Sequence, residues 1–596
     1  MRRTKFVSAV ALVSGAALAL SACGGGGGSG TGGDADVAAM AVAKGENEKE
    51  LTYTSPDGLS SAGTISVSTD KPFTSYNNET ADANNSYNTF ILTPVLAATY
   101  KVDGNQKVIL NKDVVESVEV ATNPQKVTYK LKKGLTWSDG APWGCKDFYL
   151  TWLSRSGKSK KADGSSYFLP ASTSGYEKIA ELACPDPQTV VTTYAENYPD
   201  YKGLFGGGDT GPLPAHIVEK QAGIPDLLKV TPTDAASLEK IATFWNTGWK
   251  GFTKDLMPAS GPYMITDWKQ NQSITLERNP KWPGPKGGPD KIVVKSVPDS
   301  VAQAQALENG ENQILASMQP DANAADRLRN LNSQGVKYGS EQGLTFEHLD
   351  LNFRNPLLSD KEVRKAFFMA VNRKDITDKL VGPVVKDAKP MGSLIFYPGE
   401  DGYQDHYSDK SKGSADEAKK ILEAAGWKLG GDGVYAKDGQ RLSLKVSHTD
   451  IPRRKKTVEI LMGQAKAAGI EVKDDTDPNF LDGRVDKGDY DIALFAWSGA
   501  PFKADKKPIY HSAGTQNWQK VVSPAADAAL DKAVTQTDPA AAIPLYKEAD
   551  KALSEEYASL PLFQTPNMWA FKGVDRVWHQ SYFGALWNAN EWQKTS

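Results

Sequence analysis

Apolar and polar residues alternate in short runs through the first half of the chain. Val114–Val120 and Val127–Leu131 both follow this two-residue period, and Asn123-Pro124 between them marks a turn, so they predict a strand pair. Thr189–Tyr194, Ile274–Arg278 and Lys291–Val297 repeat the habit. Helical patterns are interleaved: Asp147–Ser154 carries an apolar face of Phe148, Leu150 and Trp152, and the alanine-rich Val301–Asn309 is stopped by Gly310. In the second half Asp360 caps a helix with Val363, Phe367 and Ala370 on one face. Ser414 with Glu417 forms a capping box before Ala418, Ile421, Leu422 and Ala425, and Gly426 ends that helix. Leu442–Val446, Ile470–Lys473 and Tyr490–Phe495 predict strands, Val458–Ala468 a helix, and Pro539 opens a long helix to about Tyr557, followed by a strand at Ser559–Phe563. Strand and helix in alternation predict α/β architecture, and 596 residues exceed one core, so two lobes are expected.

The N-terminus departs from this pattern. Arg2, Arg3 and Lys5 precede Phe6–Leu20, an uncharged run too short to span a bilayer, which predicts an export signal. Leu20-Ser21-Ala22-Cys23 resembles the lipobox of bacterial lipoproteins, which implies a signal peptide over 1–22 and a lipidated Cys23. Residues 23–50 then read as the lipidated cysteine and a flexible Gly/Ser-rich linker. The body is expected to be soluble and tethered to the extracellular face of the membrane.

Charge narrows the partners. The chain carries 69 Lys+Arg against 72 Asp+Glu, a net charge of −3, and no basic stretch suited to phosphate, so nucleic acid is excluded as a partner. Cys145 and Cys184 are free to pair after export, with two buried thiols as the alternative. Neither belongs to a metal or redox motif. The six histidines, His216, His348, His406, His448, His511 and His579, are far apart, so no metal site and no cofactor are expected. Asp475, Asp477 and Asn479 have calcium-loop spacing, but Phe480 stands where that turn needs Gly, so a surface turn is expected. No nucleophile motif or Walker loop is present, and no catalytic residue is nominated.

Several segments, in order, carry a resemblance: Leu131–Pro142 (LKKGLTWSDGAP); Ala259–Tyr263 (ASGPY) with Trp268 and Leu276–Pro280 (LERNP); Leu349–Asn352 (LDLN) with Val363–Phe367 (VRKAF) and Ala370–Arg373 (AVNR); Asp489–Asp491 (DYD) with Ala496-Trp497; and Leu545–Glu548 (LYKE) with Leu560–Phe563 (LPLF). Over roughly residues 50–580 the chain resembles the family 5 extracellular solute-binding proteins, the oligopeptide- and dipeptide-binding lipoproteins of ABC importers. The resemblance implies a two-lobed periplasmic-binding-protein-like α/β fold (type II, cluster C), with hinge strands and an extra subdomain in lobe I. Lobe I is expected at 51–340, lobe II at 341–524, and a return to lobe I at 525–596. It also implies a monomer that captures a peptide or other small molecule between the lobes and delivers it to a membrane permease, without catalysis.

The ligand-binding candidates are Asn84, Tyr87 and Asn88 in an amide-rich stretch, Phe346 and Glu347 beside the crossing strand Leu349–Leu351, Trp497, Ser498 and Phe502 after a strand, and Asn517 and Trp518 in a loop. Asn352 is expected to tie the hinge. Peptide-binding relatives usually carry an Asp two residues after the tryptophan, which pairs with the peptide amine. Here the chain reads Gly499-Ala500-Pro501, so another acid, such as Glu347 or Asp350, is needed if an amine is recognised. A receptor for a non-peptide polar solute and a cell-envelope regulatory lipoprotein of the same fold are the alternatives. The last of these predicts an occluded or shallow cleft.

Overall fold

The computed structural model describes residues 52–595, except 105, 209, 319, 482, 500 and 582. The expected signal peptide, Cys23 and most of the linker lie outside the described residues. Ten strands form one sheet, and at its centre two long antiparallel strands pair, Lys337–Leu351 and Ser559–Phe571. Fifteen extended residues span about 50 Å, long enough to run from one lobe into the other. On one flank lie Ile492–Ser498, Ser443–His448 and Glu471–Thr476. On the other lie Ile314–Ser317, Thr64–Thr69, Lys291–Ser296, Ser273–Arg278 and Tyr263–Lys269. The register between the two crossing strands shifts twice near their middle, between Glu347 and His348 and, more widely, between Gln342 and Phe346. Gln342 faces Pro566 and Phe346 faces Gln564, so 343–345 have no partner on the other crossing strand. Gln564 Nε2 donates to Gly343 O at 2.7 Å and Thr565 Oγ1 to Thr345 O at 3.2 Å in their place.

Each flank is covered by its own apolar cluster. The first gathers Ile65, Val67, Trp137, Trp245, Trp249 and Trp592. The second gathers Leu349, Phe367, Leu461, Ile492 and Leu530. A separate four-stranded antiparallel sheet, Val115–Thr122, Gln125–Leu131, Thr189–Tyr194 and Ile179–Asp186, forms the extra subdomain of the first lobe. Cys145, the first residue of the helix Cys145–Arg155, is joined by a disulfide to Cys184 on the edge strand of that sheet.

Local signals set the helix ends. Asp360 accepts from Glu362 N and Ser414 from Glu417 N, as N-caps do. The helix expected from Val458 begins earlier, at Pro452, because proline fits the first turn, where the backbone needs no donor. The strand expected to stop at Phe563 continues to Phe571.

The return to the first lobe comes later than residue 525. The helices Pro524–Ala533 and Pro539–Glu556 bury Leu530, Ala533, Ala542, Tyr546 and Leu553 in the second core. Along Ser559–Phe571 the packing changes hands, with Leu560 to Phe563 in the second core and Trp569 and Phe571 in the first. Both helices present an apolar stripe that fits against the second lobe, and only the crossing strand carries the chain back. The calcium-like turn holds a side chain of the protein itself: Arg484 donates to Asp475 at 2.8 Å, to Asp477 at 2.9 Å and to Asp489 at 3.1 Å.

Candidate functional site

A cavity of about 420 Å³ lies between the two lobes, lined from both. That is within the range of about 300–1,000 Å³ usual for small-molecule sites. The first lobe contributes an amide-rich wall, Asn78, Asn84 and Asn85 with Ser86 and Thr89. This wall is built by its own hydrogen bonds. Asn85 caps the helix Ser86–Leu92 by accepting from Asn88 N. Asn78 Oδ1 accepts from Asn85 N at 3.0 Å, and Asn78 Nδ2 donates to Thr89 Oγ1 at 3.0 Å. Ser172, Ser174, Tyr176 and Tyr198 continue the surface. The second lobe contributes Leu344 and Thr345 from the crossing strand, Ser498 and Gly499 from the end of Ile492–Ser498, and Phe502 and Asp505 beyond it.

Among the described residues two carboxylates line the cavity, and their surroundings differ. Glu79 is buried and paired: Arg155 Nη1 stands 2.7 Å from its Oε2, and Thr210 donates to its Oε1. The Arg155 guanidinium also lies 4.4 Å over the Tyr176 ring. Asp505 is exposed, and no ion pair or hydrogen bond of its carboxylate is found among the described residues. The wall thus offers neutral donors and acceptors and one available negative charge, which suits a polar ligand bearing a cationic group. Among the described residues no cluster of His, Cys, Asp and Glu is arranged to hold a metal ion.

Asn84, Ser498 and Phe502 line the cavity. The other nominated residues are placed elsewhere, each for a local reason. Tyr87 is buried and donates to Asp70 at 2.9 Å, and burial holds its phenol far above the usual range. Asn88 is wholly buried and donates to Thr74 Oγ1 and Ala83 O, holding its own segment together. Phe346 packs edge-on against Tyr397 in the second core. Glu347 is buried and bonded to Arg454 at 3.0 Å, Asp350 accepts from Ser559 at 2.5 Å, and neither is in the cavity lining. Trp497 and Trp518 stack on each other with centroids 5.2 Å apart. Asn517 closes its own loop by bonding Val521 N and O. Asn352 bonds Gly488 O and Tyr490 O.

Gly499, where the missing acid would stand, leaves no room for a side chain beside Tyr397 as it is placed. A Cβ at Gly499 would stand 2.1 Å from the buried Tyr397 hydroxyl. Gly499→Ala is therefore expected to destabilise the second lobe by about 1–3 kcal/mol through overpacking. Adding Tyr397→Ala should remove most of that penalty in a urea double-mutant cycle. Additive losses in the double variant would show that the clash is not the cause.

Glu79, Arg155 and Asp505 were not nominated from the sequence. Arg155 and Glu79 are far apart along the chain and carry no shared motif, and Asp505 is one acid among many in a loop.

Residues 110–520 match the family described as "Bacterial extracellular solute-binding proteins, family 5 Middle". The chain is 27% identical over 538 residues to the oligopeptide-binding protein OppA of Mycobacterium tuberculosis, covering 88% of this chain and 84% of that protein. A periplasmic EDTA-binding protein, EppA, superposes with a TM-score of 0.79 at 25% identity, over 92% of this chain and all of that one. The oligopeptide-binding protein AppA of Bacillus subtilis, solved with a nonapeptide, gives 0.70 at 21% identity over 90% of this chain and all of that one.

Proposed function

Given that this chain belongs to the bacterial extracellular solute-binding proteins of family 5, we propose that its solute is a short peptide with a free amino group, captured between the lobes and passed to a membrane permease. The family binds solutes and does not transform them, and its lipoprotein members work as monomers at the outer face of the membrane. The observation that carries the peptide reading is Asp505, the cavity carboxylate with no ion-pair partner among the described residues. The surrounding amides and hydroxyls supply both donors and acceptors, which peptide groups require and an anionic chelate does not. The name of the mycobacterial relative supports the same reading. An open cavity of about 420 Å³ speaks against a purely regulatory lipoprotein, for which an occluded cleft is expected.

Native mass spectrometry of the purified protein, before and after mild denaturation, tests this. Released masses that differ by amino-acid residues are the expected result. A single non-peptide mass would assign another solute. No released mass, together with no shift on adding a mixture of peptides, would end the receptor reading.

A further inference from the structure

The lobes also touch away from the crossing strands, at the edge of the cavity, where Phe502, Gly203 and Gly208 form part of its wall. Phe502 of the second lobe lays its ring on two glycines of the first. A Cβ at Gly203 would stand 3.1 Å from that ring, and one at Gly208 3.0 Å. Next along the chain, Lys503 N and Ala504 N both donate to Asp200 Oδ2 of the first lobe, at 2.8 and 2.7 Å. Asp200 and Phe502 are both buried, each 8% exposed. We propose that Phe502, Lys503 and Ala504 form a clasp, with Asp200 as its catch, that holds the lobes together before any solute enters. The clasp adds to closure a contact made between the lobes themselves, so the solute has only to supply the remainder.

The catch also makes closure respond to acid. Burial pushes Asp200 up to about 6, and the two N–H groups and the Lys503 charge offset only part of that rise. Exposed to water on opening, the carboxyl returns toward 3.8. The closed form therefore holds the proton more tightly, so closure strengthens as pH falls through about 6 and weakens above it. Other charged groups face the catch. The Lys503 ammonium is held by Glu400 at 2.8 Å, and Asp505 raises Asp200 further. Glu177, behind Asp505, is itself raised by burial. From the preceding loop and from Pro539–Glu556, the phenols of Tyr198 and Tyr546 are both held far above their usual range by burial. Lys506, lowered to about 8 by burial, titrates above this window. Asp550, raised to about 6 by burial, is bonded to Ser393 and Leu394 within the second lobe, so opening leaves its surroundings unchanged.

Spin labels on cysteines at the exposed Lys240 and Lys428, one in each lobe, read the interlobe distance in ligand-free protein. Native mass spectrometry first checks that no solute remains bound. The wild type is expected closed, and closure should strengthen about tenfold between about pH 7.5 and about pH 5. Asp200→Ala leaves two buried N–H groups unpaired and should shift the equilibrium toward open by at least about tenfold. Phe502→Ala should open it as well, while Asp200→Asn should abolish the pH response. Circular dichroism confirms that each variant is folded. An open ligand-free wild type, or Asp200→Ala and Phe502→Ala variants as closed as the wild type, would overturn the clasp. Because no solute is present, this result is independent of which solute the cavity takes.

Discussion

Arg155→Ala is expected to destabilise the first lobe by about 3–5 kcal/mol, the usual loss when one member of a buried ion pair is removed. Arg155 ends the helix Cys145–Arg155, and Glu79 lies in the cavity wall before the helix Ser86–Leu92. Their side chains are each 7% exposed, so solvent screens the pair little. Without the guanidinium, Glu79 keeps its hydrogen bonds from Thr210 but loses its counter-charge. The Tyr176 ring loses the cation above it as well. The double variant Glu79→Gln with Arg155→Met removes both charges and should lose much less. Urea titrations of the three variants give the comparison. Equal losses for the single and double variants would show that packing, and not the stranded charge, sets the effect.

Asp505→Asn is expected to weaken binding of a free-amine peptide by about 2–3 kcal/mol, some thirty- to hundredfold in Kd. The carboxylate is exposed without a solute, and a peptide amine placed against it in the closed cavity is largely shielded from water. Calorimetry with one peptide and its N-acetylated form separates charge pairing from shape. The wild type should prefer the free amine strongly, and Asp505→Asn should discriminate little. A variant that keeps the wild-type preference would remove Asp505 from amine recognition and leave the hydroxyl and amide wall to do it.

Much of the architecture is written locally in the chain. Alternation at Val127–Leu131 and Thr189–Tyr194, the caps at Asp360 and Ser414, and the ordered segments from Leu131 to Phe563 need only neighbouring residues to be read. The destination of an apolar stripe is less legible. The helices Pro524–Ala533 and Pro539–Glu556 carry correct periodicity, yet nothing local says which of two cores receives it. The cavity shows the same limit. An aromatic at a strand end can face a cleft or a second aromatic, and Trp497 finds Trp518. An amide-rich stretch can reach the cavity or turn wholly into its own segment, and Asn84 does the first while Asn88 does the second. Arg155 and Asp505 acquire their meaning from partners, or from the lack of them, that only the folded chain brings near.

The interruption at residues 343–345 has a mechanical consequence. A sheet continuous through both lobes cannot swing on a slack loop; it deforms by torsion about its two central strands. Torsional compliance concentrates where rungs of the ladder are missing, and here two side-chain rungs from Gln564 and Thr565 replace the backbone ones. Leu344 and Thr345 in that weak stretch also form part of the cavity wall. The weak stretch and the cavity wall therefore share residues, and a molecule held against that wall would stiffen the segment whose twist opens the lobes.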